Sequence, residues 1–450
     1  MERLDLTKRV LRFAPSPTGY LHVGNIRTAL FNYLQAKKTG GEFILRLDDT
    51  DCERSSQHFI DYIKTDLDWL GINWDRIEQQ SLRIERYRDV LTKLSEKNVV
   101  YECFETSSEL EIKRKKQQKR GLPPVYDREA LKLSTAEKDA LRNKSCSHWR
   151  FLLSGKNVTW QDEIAGEINV RTSVVSDPIL VKGNGQFLYT LASVIDDSDF
   201  GVTDVVRGID HLTNTAVQIE IFKNLSSHVP VFGHHSLIVD SFGENFSKRT
   251  GGLSIKSLRE AGVEPGAIVS KLVSLGTGDG LELRSNIEDF TQKFSLGKFS
   301  TAAVRFEKEA LKTISRKLLS NSSLGEISEF LDQIGVPNEI KEDFWTMAKD
   351  NINKKDELAG FWHLCKDGVY NPVIAPGDEE FIEVAFSLIG EYPRENDSWQ
   401  KLTEELKNVT GRSGKDLFMP LRSFLTGKSD GPDMRKLFPL MQKIQKPRLS

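Results

Sequence analysis

Apolar positions in the first hundred residues switch between two spacings. Val10–Phe13 is a short β-prone run that stops before Pro15 and Pro17, neither of which has an N–H for a sheet ladder. Ile26, Ala29, Leu30, Tyr33 and Leu34 then recur on one helical face, and Gly40-Gly41 ends that helix. Phe43–Leu47 is almost continuously apolar, the pattern of a buried parallel strand. Phe59, Tyr62, Ile63, Leu67 and Leu70 predict an amphipathic helix over about 55–70, with Leu70–Asp75 as a helix stop and short strand. Ile84, Tyr87, Val90, Leu91 and Leu94 predict a second helix over about 81–97. Strand, helix, strand, helix argues a doubly wound α/β domain.

The alternation breaks over 101–186, which turns β-rich at Trp149–Leu153, Val158–Trp160, Gly166–Arg171 and Pro178–Val181. The α/β pattern resumes at Phe187, with a strand at Val202–Arg207, a helix from about Thr213 carrying Val217, Ile221, Phe222 and Leu225, and a strand at Ser236–Val239. Leu253–Ala261 and the stretch from Pro265 to Gly276 read as helices. Ala303–Phe306 opens a further run of helices through Leu311, Ile314, Leu318 and Leu319. No alternating pattern follows, so the last third is expected to be all-α.

Composition narrows the class. The chain has 450 residues, enough for roughly three domains, and is 38% hydrophobic and 28% charged. No apolar run approaches membrane-spanning length, and Met1–Leu6 lacks the apolar core of a signal peptide. Cys52, Cys103, Cys146 and Cys365 show no paired spacing, which suits a reducing cytoplasm. A net charge of −2 gives no bulk signal for nucleic acid, so an RNA partner would be met by local patches. Lys113–Lys116 with Lys119 and Arg120 is one such run; it reads equally as a solvated helix face or as a phosphate contact.

The candidate chemistry lies where strands end. His22, Gly24 and Asn25 open the first helix, where free N–H groups and the helix dipole attract anions, and Gly24 leaves room for a ring or phosphate near the backbone. Asp48, Asp49 and Asp51 cluster at the carboxyl end of the second strand, where open α/β sheets bind ligands; Asp48 is the one taken as functional. Arg207 ends another strand and faces the same cleft as Asp48 and Ser16. A guanidinium fork there is a natural partner for a carboxylate, with Arg12 as a second candidate and Tyr189 as a hydroxyl donor. Lys248 sits in a glycine-flanked loop able to bring an ammonium to phosphates.

Pro-Ser-Pro-Thr-Gly-x-Leu-His-x-Gly-Asn over 15–25 resembles the first signature of class I aminoacyl-tRNA synthetases, in the form found in glutamyl-tRNA synthetases. Phe246-Ser-Lys-Arg249 resembles the second signature, with Asn245 in place of its first lysine. The resemblance runs from Arg12 to about Pro432 and takes in Gly414–Gly427, which looks like the anticodon-binding helices of bacterial-type glutamyl enzymes. It implies an α/β Rossmann-like catalytic domain (8–100 and 187–240) split by an α+β insertion for the tRNA acceptor end (101–186). A lysine-loop and stem-contact segment (241–320) and an all-α C-terminal anticodon-binding region (321–450) would follow.

The activity implied is ATP-dependent charging of tRNA(Glu) with L-glutamate through glutamyl-adenylate. Pro17, His22, Gly24, Asn25 and Lys248 would serve ATP, His22 and Lys248 as catalytic groups. Arg12, Ser16, Asp48, Tyr189 and Arg207 would serve glutamate. Asp48 stands where the family usually has Glu, Ser193 where it has Asn, and His211 where Trp is common. ATP would arrive with Mg²⁺. Some relatives carry zinc in the insertion, but here Glu105 and Ala130 replace expected cysteines and Cys103 alone cannot complete a tetrahedral site, so no zinc is expected. A cytoplasmic monomer is expected. A form that also charges tRNA(Gln), and a catalytically impaired tRNA-binding paralogue, are the alternatives.

Overall fold

The structure is a computed structural model that describes residues 8–144, 147–225, 228–240, 243–244, 253–370, 372, 374–393 and 395–446. The chain divides into two compact units, one of residues up to 261 with 268–308, the other of 262–267 with 309 onward.

The first unit is built on parallel strands. β1 (Val10–Phe13), β2 (Glu42–Leu47) and β3 (Arg76–Gln79) form a parallel sheet in the order β1-β2-β3. β9 (Asp204–Gly208) and β10 (Val231–His235) pair in parallel, and β10 also pairs with β6 (Asn157–Asp162), which forms a hairpin with β7 (Gly166–Arg171). Thr203 N donates to Val10 O at 3.0 Å, and Val10 N donates to Thr203 Oγ1 at 2.8 Å, stitching the start of β9 to β1. The working order is therefore β3-β2-β1-β9-β10, a Rossmann-like sheet that reverses direction of growth between β1 and β9. A ligand crevice is expected at that reversal, outside the strands' carboxyl ends.

Helices cover the sheet: α1 (Val23–Lys38), α2 (Gln57–Trp69) and α3 (Ile84–Glu96), then α6 (Tyr189–Asp199) and α7 (Leu212–Leu225). Ile26, Ala29, Leu30, Tyr33 and Leu34 are all buried, as the helical period of α1 requires. Between α3 and α6, β4 (Val100–Cys103), β5 (His148–Phe151) and β8 (Ile179–Val181) make a separate antiparallel sheet accompanied by α4 (Ser107–Lys119) and α5 (Thr135–Arg142). The insertion is thus not a closed module: its hairpin β6–β7 is hydrogen bonded into the same sheet as β10.

Three local readings need correction. Residues 70–75 are turn and coil, and the strand comes one step later at β3. The expected strand at 236–239 is only β11 (Ile238–Val239), whereas the longer strand β10 precedes it unanticipated. Its Gly-His-His sequence looks polar, yet His234 and His235 are buried with their ring nitrogens hydrogen bonded. Ala303–Phe306 does not begin a helix: β12 (Val304–Arg305) returns to pair with β11.

The second unit is helical among its described residues, from α10 (Lys308–Asn321) through α11 (Leu324–Gln333), α12 (Lys341–Ala348) and α13 (Glu357–Asp367) to α14 (Glu379–Ile389), α15 (Ser398–Thr410), α16 (Lys415–Thr426) and α17 (Met434–Leu437). Its core includes Phe344, Trp345, Trp362, Leu402, Leu421 and Phe438. The helix expected at 414–427 is α16, capped by Gly427 in the left-handed region at φ 70°.

Candidate active site

A cleft of about 700 Å³ opens at the reversal between β1 and β9. Arg12 ends β1, Asp48 follows β2, Tyr189 opens α6 and Arg207 lies near the end of β9. Ser16, His22, Gly24 and Asn25 come from the turn into α1, and all eight line this cleft. Residues separated by up to 195 positions are brought together because they stand at the carboxyl end of a parallel strand, in the turn that follows it or at the start of a helix beside it. Pro17 does not line it; it is buried, and its carbonyl accepts from Ser56 N at 3.2 Å. Lys248 and Asn245 lie outside the described residues. The chain that follows them returns to the same turn: Ser254 bridges to His22, and Ile255 N donates to Leu21 O at 2.8 Å.

The start of α1 is self-capped. Gly24 N donates to His22 Nδ1 at 3.1 Å, and His22 N donates to Asn25 Oδ1 at 3.1 Å. A β-carbon on Gly24 would lie 2.9 Å from His22 Cε1, so the room Gly24 provides is taken by the imidazole folding back over the helix end.

Among the described residues, the buried charges of the cleft are arranged in pairs, with one exception. Arg46 donates through Nε to Asp48 Oδ1 at 2.7 Å and through Nη2 to Oδ2 at 3.2 Å. Its Nη1 reaches Asp197 Oδ1 at 2.6 Å, and Arg12 Nε reaches the same oxygen at 3.1 Å. Burial pushes the Asp48 carboxyl up to about 6, against the opposing pull of Arg46. Asp49 and Asp51 are structural: Asp49 accepts from Ser81 N and Gln79 Nε2, and Asp51 pairs with Arg54.

Arg207 is the exception. Its partners among the described residues are neutral: Nη1 donates to the Tyr189 hydroxyl, and Nη2 donates to Thr215 Oγ1 at 2.6 Å and Gln218 Oε1 at 2.7 Å. Nε has no partner there. Burial lowers its affinity for the proton, yet an arginine in a protein stays charged. A buried guanidinium held by neutral groups at a cleft wall calls for an anion.

A family model of class I tRNA synthetases (E and Q), catalytic domain, matches residues 8–313. This chain belongs to the class I tRNA synthetases of that type. Glutamate–tRNA ligase 2 of Ruegeria sp. (strain TM1040) is 50% identical over 435 residues, covering 96% of this synthetase and 98% of the relative. Glutamate–tRNA ligase 1 of Ruegeria pomeroyi is also 50% identical over 435 residues, with the same coverage. The crystal structure of a glutamate tRNA ligase from Elizabethkingia meningosepticum in complex with its amino acid superposes with a TM-score of 0.81 at 26% identity. It covers 97% of this synthetase and 96% of that chain.

Two further cleft residues, Arg46 and Lys182, carry no signal of a role in the sequence. Arg46 read only as a lone charge in an apolar strand, and Lys182 sits in a turn with its Nζ on Gln186 Oε1 at 2.8 Å. His211 lines the wall beside Tyr189, its rings meeting edge to face at 5.8 Å, and burial with the field of Arg207 lowers its imidazole to about 4.

In the insertion of the synthetase, Cys103, Glu105 and His148 bring donor atoms within 4.8 Å of one another. His148, which no cysteine spacing marks, reaches Cys103 by pairing across β4 and β5. Several of the donors already have partners. Tyr126 donates its hydroxyl to Glu105 Oε1 at 2.7 Å, Lys113 Nζ lies 3.3 Å from the same oxygen, and Arg150 Nε donates to His148 Nε2 at 3.3 Å. Burial also pushes the Cys103 thiol up to about 11, so it holds its proton. Two protein cations beside these donors fit a divalent metal poorly. Lys113, at the head of the basic run, is itself clasped by Glu105, Asp127 and Glu129.

Proposed function

We propose that this protein is a glutamate–tRNA ligase in which Arg207 receives the side-chain carboxylate of glutamate. The observation that carries the assignment of the pocket is the buried Arg207 guanidinium, whose partners among the described residues are all neutral, in the cleft at the sheet reversal. Tyr189 adds a hydroxyl beside it, and Asp48 offers negative charge for the substrate ammonium. Arg12 is tied to Asp197 and shapes the wall, and Ser16 is exposed on the rim.

In the first step the α-carboxylate oxygen of glutamate attacks the α-phosphorus of ATP, the bond to the bridging oxygen breaks, and pyrophosphate leaves. In the second, a ribose hydroxyl at the tRNA 3′ end attacks the acyl carbon, passes on its proton, and AMP leaves. No protein nucleophile is needed. The chain's task is to place the reactants and to stabilise charge on phosphate oxygens. The α1 end with His22, Gly24 and Asn25, together with Lys248, is assigned to that second role. ATP enters as its Mg²⁺ complex.

Glutamate-dependent ATP–pyrophosphate exchange in the presence of tRNA tests the reading directly. Exchange with glutamate and none above background with glutamine is expected. Charging purified tRNA(Glu) and tRNA(Gln) separately then decides whether the second tRNA is also a substrate. We also assign 101–186 to the acceptor end and the helical unit to the anticodon. Removal of α16 is expected to weaken charging through tRNA while leaving the glutamate pocket intact.

A further inference from the structure

One group of side chains behind the cleft serves none of these steps. Asp162 closes β6, His234 lies in β10 and Thr215 in the first turn of α7, and all three are buried. Asp162 Oδ2 lies 2.5 Å from His234 Nδ1, and His234 Nε2 lies 2.8 Å from Thr215 Oγ1. Arg207 Nη2 donates to that same Oγ1 at 2.6 Å.

The proton positions follow from the two ends. A guanidinium only donates, so Thr215 Oγ1 accepts from Arg207 and passes its own proton onward. Asp162 Oδ1 accepts three backbone N–H groups, from His234 at 2.9 Å, Ala165 at 2.9 Å and Ile164 at 3.1 Å. Burial works against its charge, but these bonds and His234 outweigh it and hold the carboxyl at about 2. An ionised carboxylate only accepts, so His234 carries its proton on Nδ1. Burial and the field of Arg207 keep the ring neutral, which leaves Nε2 to accept from Thr215. That acceptor is nearer than the other one within reach of the hydroxyl, the His211 carbonyl at 3.2 Å. Every proton in the relay therefore points one way, from Arg207 to Asp162.

The arrangement answers a question the pocket raises. A buried arginine needs a compensating charge, but a carboxylate in contact with it would compete with substrate. Among the described residues no carboxylate touches Arg207, and the chain of hydrogen bonds from its Nη2 reaches a carboxylate, Asp162, only after two intervening side chains. We propose that Asp162, His234 and Thr215 are positioning residues for Arg207: they fix its Nη2 edge through one chain of hydrogen bonds of fixed direction, and leave the Tyr189 side to a carboxylate-bearing substrate. This deepens the glutamate assignment above and rests on it.

Kinetics in the presence of tRNA test the proposal. Thr215→Val keeps shape and removes the hydroxyl; it should raise KM for glutamate about tenfold, the scale of one charge-assisted hydrogen bond, with KM for ATP and kcat within about twofold. His234→Phe should act in the same direction. His234→Gln offers one amide as donor to Asp162 and acceptor for Thr215, and should recover glutamate KM to within about threefold of the parent. The double variant T215V/H234F should fall well short of the product of the two single effects, because both act through one bond to Arg207. Thr215→Val with glutamate KM within about twofold of the parent would overturn the proposal, as would equal rises in the KM of glutamate and ATP. Thr215→Val carries the test alone should His234→Phe fail to fold. A parent enzyme without glutamate-dependent exchange would instead remove the assignment on which the proposal rests.

Discussion

Arg46 holds Asp48 edge-on, Nε to Oδ1 at 2.7 Å and Nη2 to Oδ2 at 3.2 Å, with Asp197 on the other side of the same guanidinium. The carboxylate therefore sits drawn back along the wall, at the reach of a side chain one methylene shorter than the family's usual glutamate. Asp48→Glu should keep charging activity and lower KM for glutamate, since the longer side chain brings the charge nearer the ammonium. Steady-state kinetics of both forms measure it.

The same residue sets a pH dependence. Its carboxyl is raised to about 6, so it is charged above that pH and neutral below it. Glutamate keeps its ammonium throughout this range, so the attraction is present above pH 6 and lost as pH falls through it. KM for glutamate should climb below about pH 6 in the parent and lose that climb in Asp48→Asn. A profile of KM against pH for the two proteins gives the answer.

Arg207→Gln should raise KM for glutamate by about a hundredfold, because the guanidinium charge assigned to the substrate carboxylate is replaced by a neutral amide. Selectivity against glutamine should shrink by a similar factor. Exchange assays with each amino acid show both effects.

Gly24→Ala places a methyl 2.9 Å from His22 Cε1. The imidazole must swing off the helix end, which forfeits its bond to Gly24 N at a cost of about 1 kcal/mol. A lower melting temperature and a higher KM for ATP are expected, with KM for glutamate unchanged.

The cluster of Cys103, Glu105 and His148 carries its own cations in Lys113 and Arg150. Elemental analysis of the purified protein should find well under one zinc per chain. Chelation followed by Mg²⁺ should restore full activity.

Much of the fold and cleft was legible because single segments encode it. The helix period from Ile26 to Leu34, the apolar β2 and the turn around His22 each specify their own structure within a few residues. Placing Asp48 and Arg207 in one cleft needed only the rule that ligands gather at carboxyl ends of parallel strands, whereas Tyr189, at the start of α6, was placed there by the family resemblance. What stayed hidden depends on pairing between distant segments. His234 lies in a strand that its polar sequence does not mark, and its partner Asp162 stands 72 positions earlier. His148 joins Cys103 only through the register of β4 on β5. That Arg46 would occupy both oxygens of Asp48 follows from side-chain geometry, which no periodicity reports.

The pairing of β11 with β12 bears on how a smaller enzyme could be cut from this one. The nucleotide-fold strands finish by Val239, and trimming there looks natural from sequence. Yet β12 comes back from residues 304–305 to close that edge, Arg27 in α1 donates to Leu275 O at 2.9 Å, and Lys38 donates to Phe294 O at 2.6 Å. An excised fragment ending at Val239 would strip two side-chain anchors from the helix that starts at His22 and would leave β11 without its partner. An excision that keeps all three contacts has to run at least to Arg305.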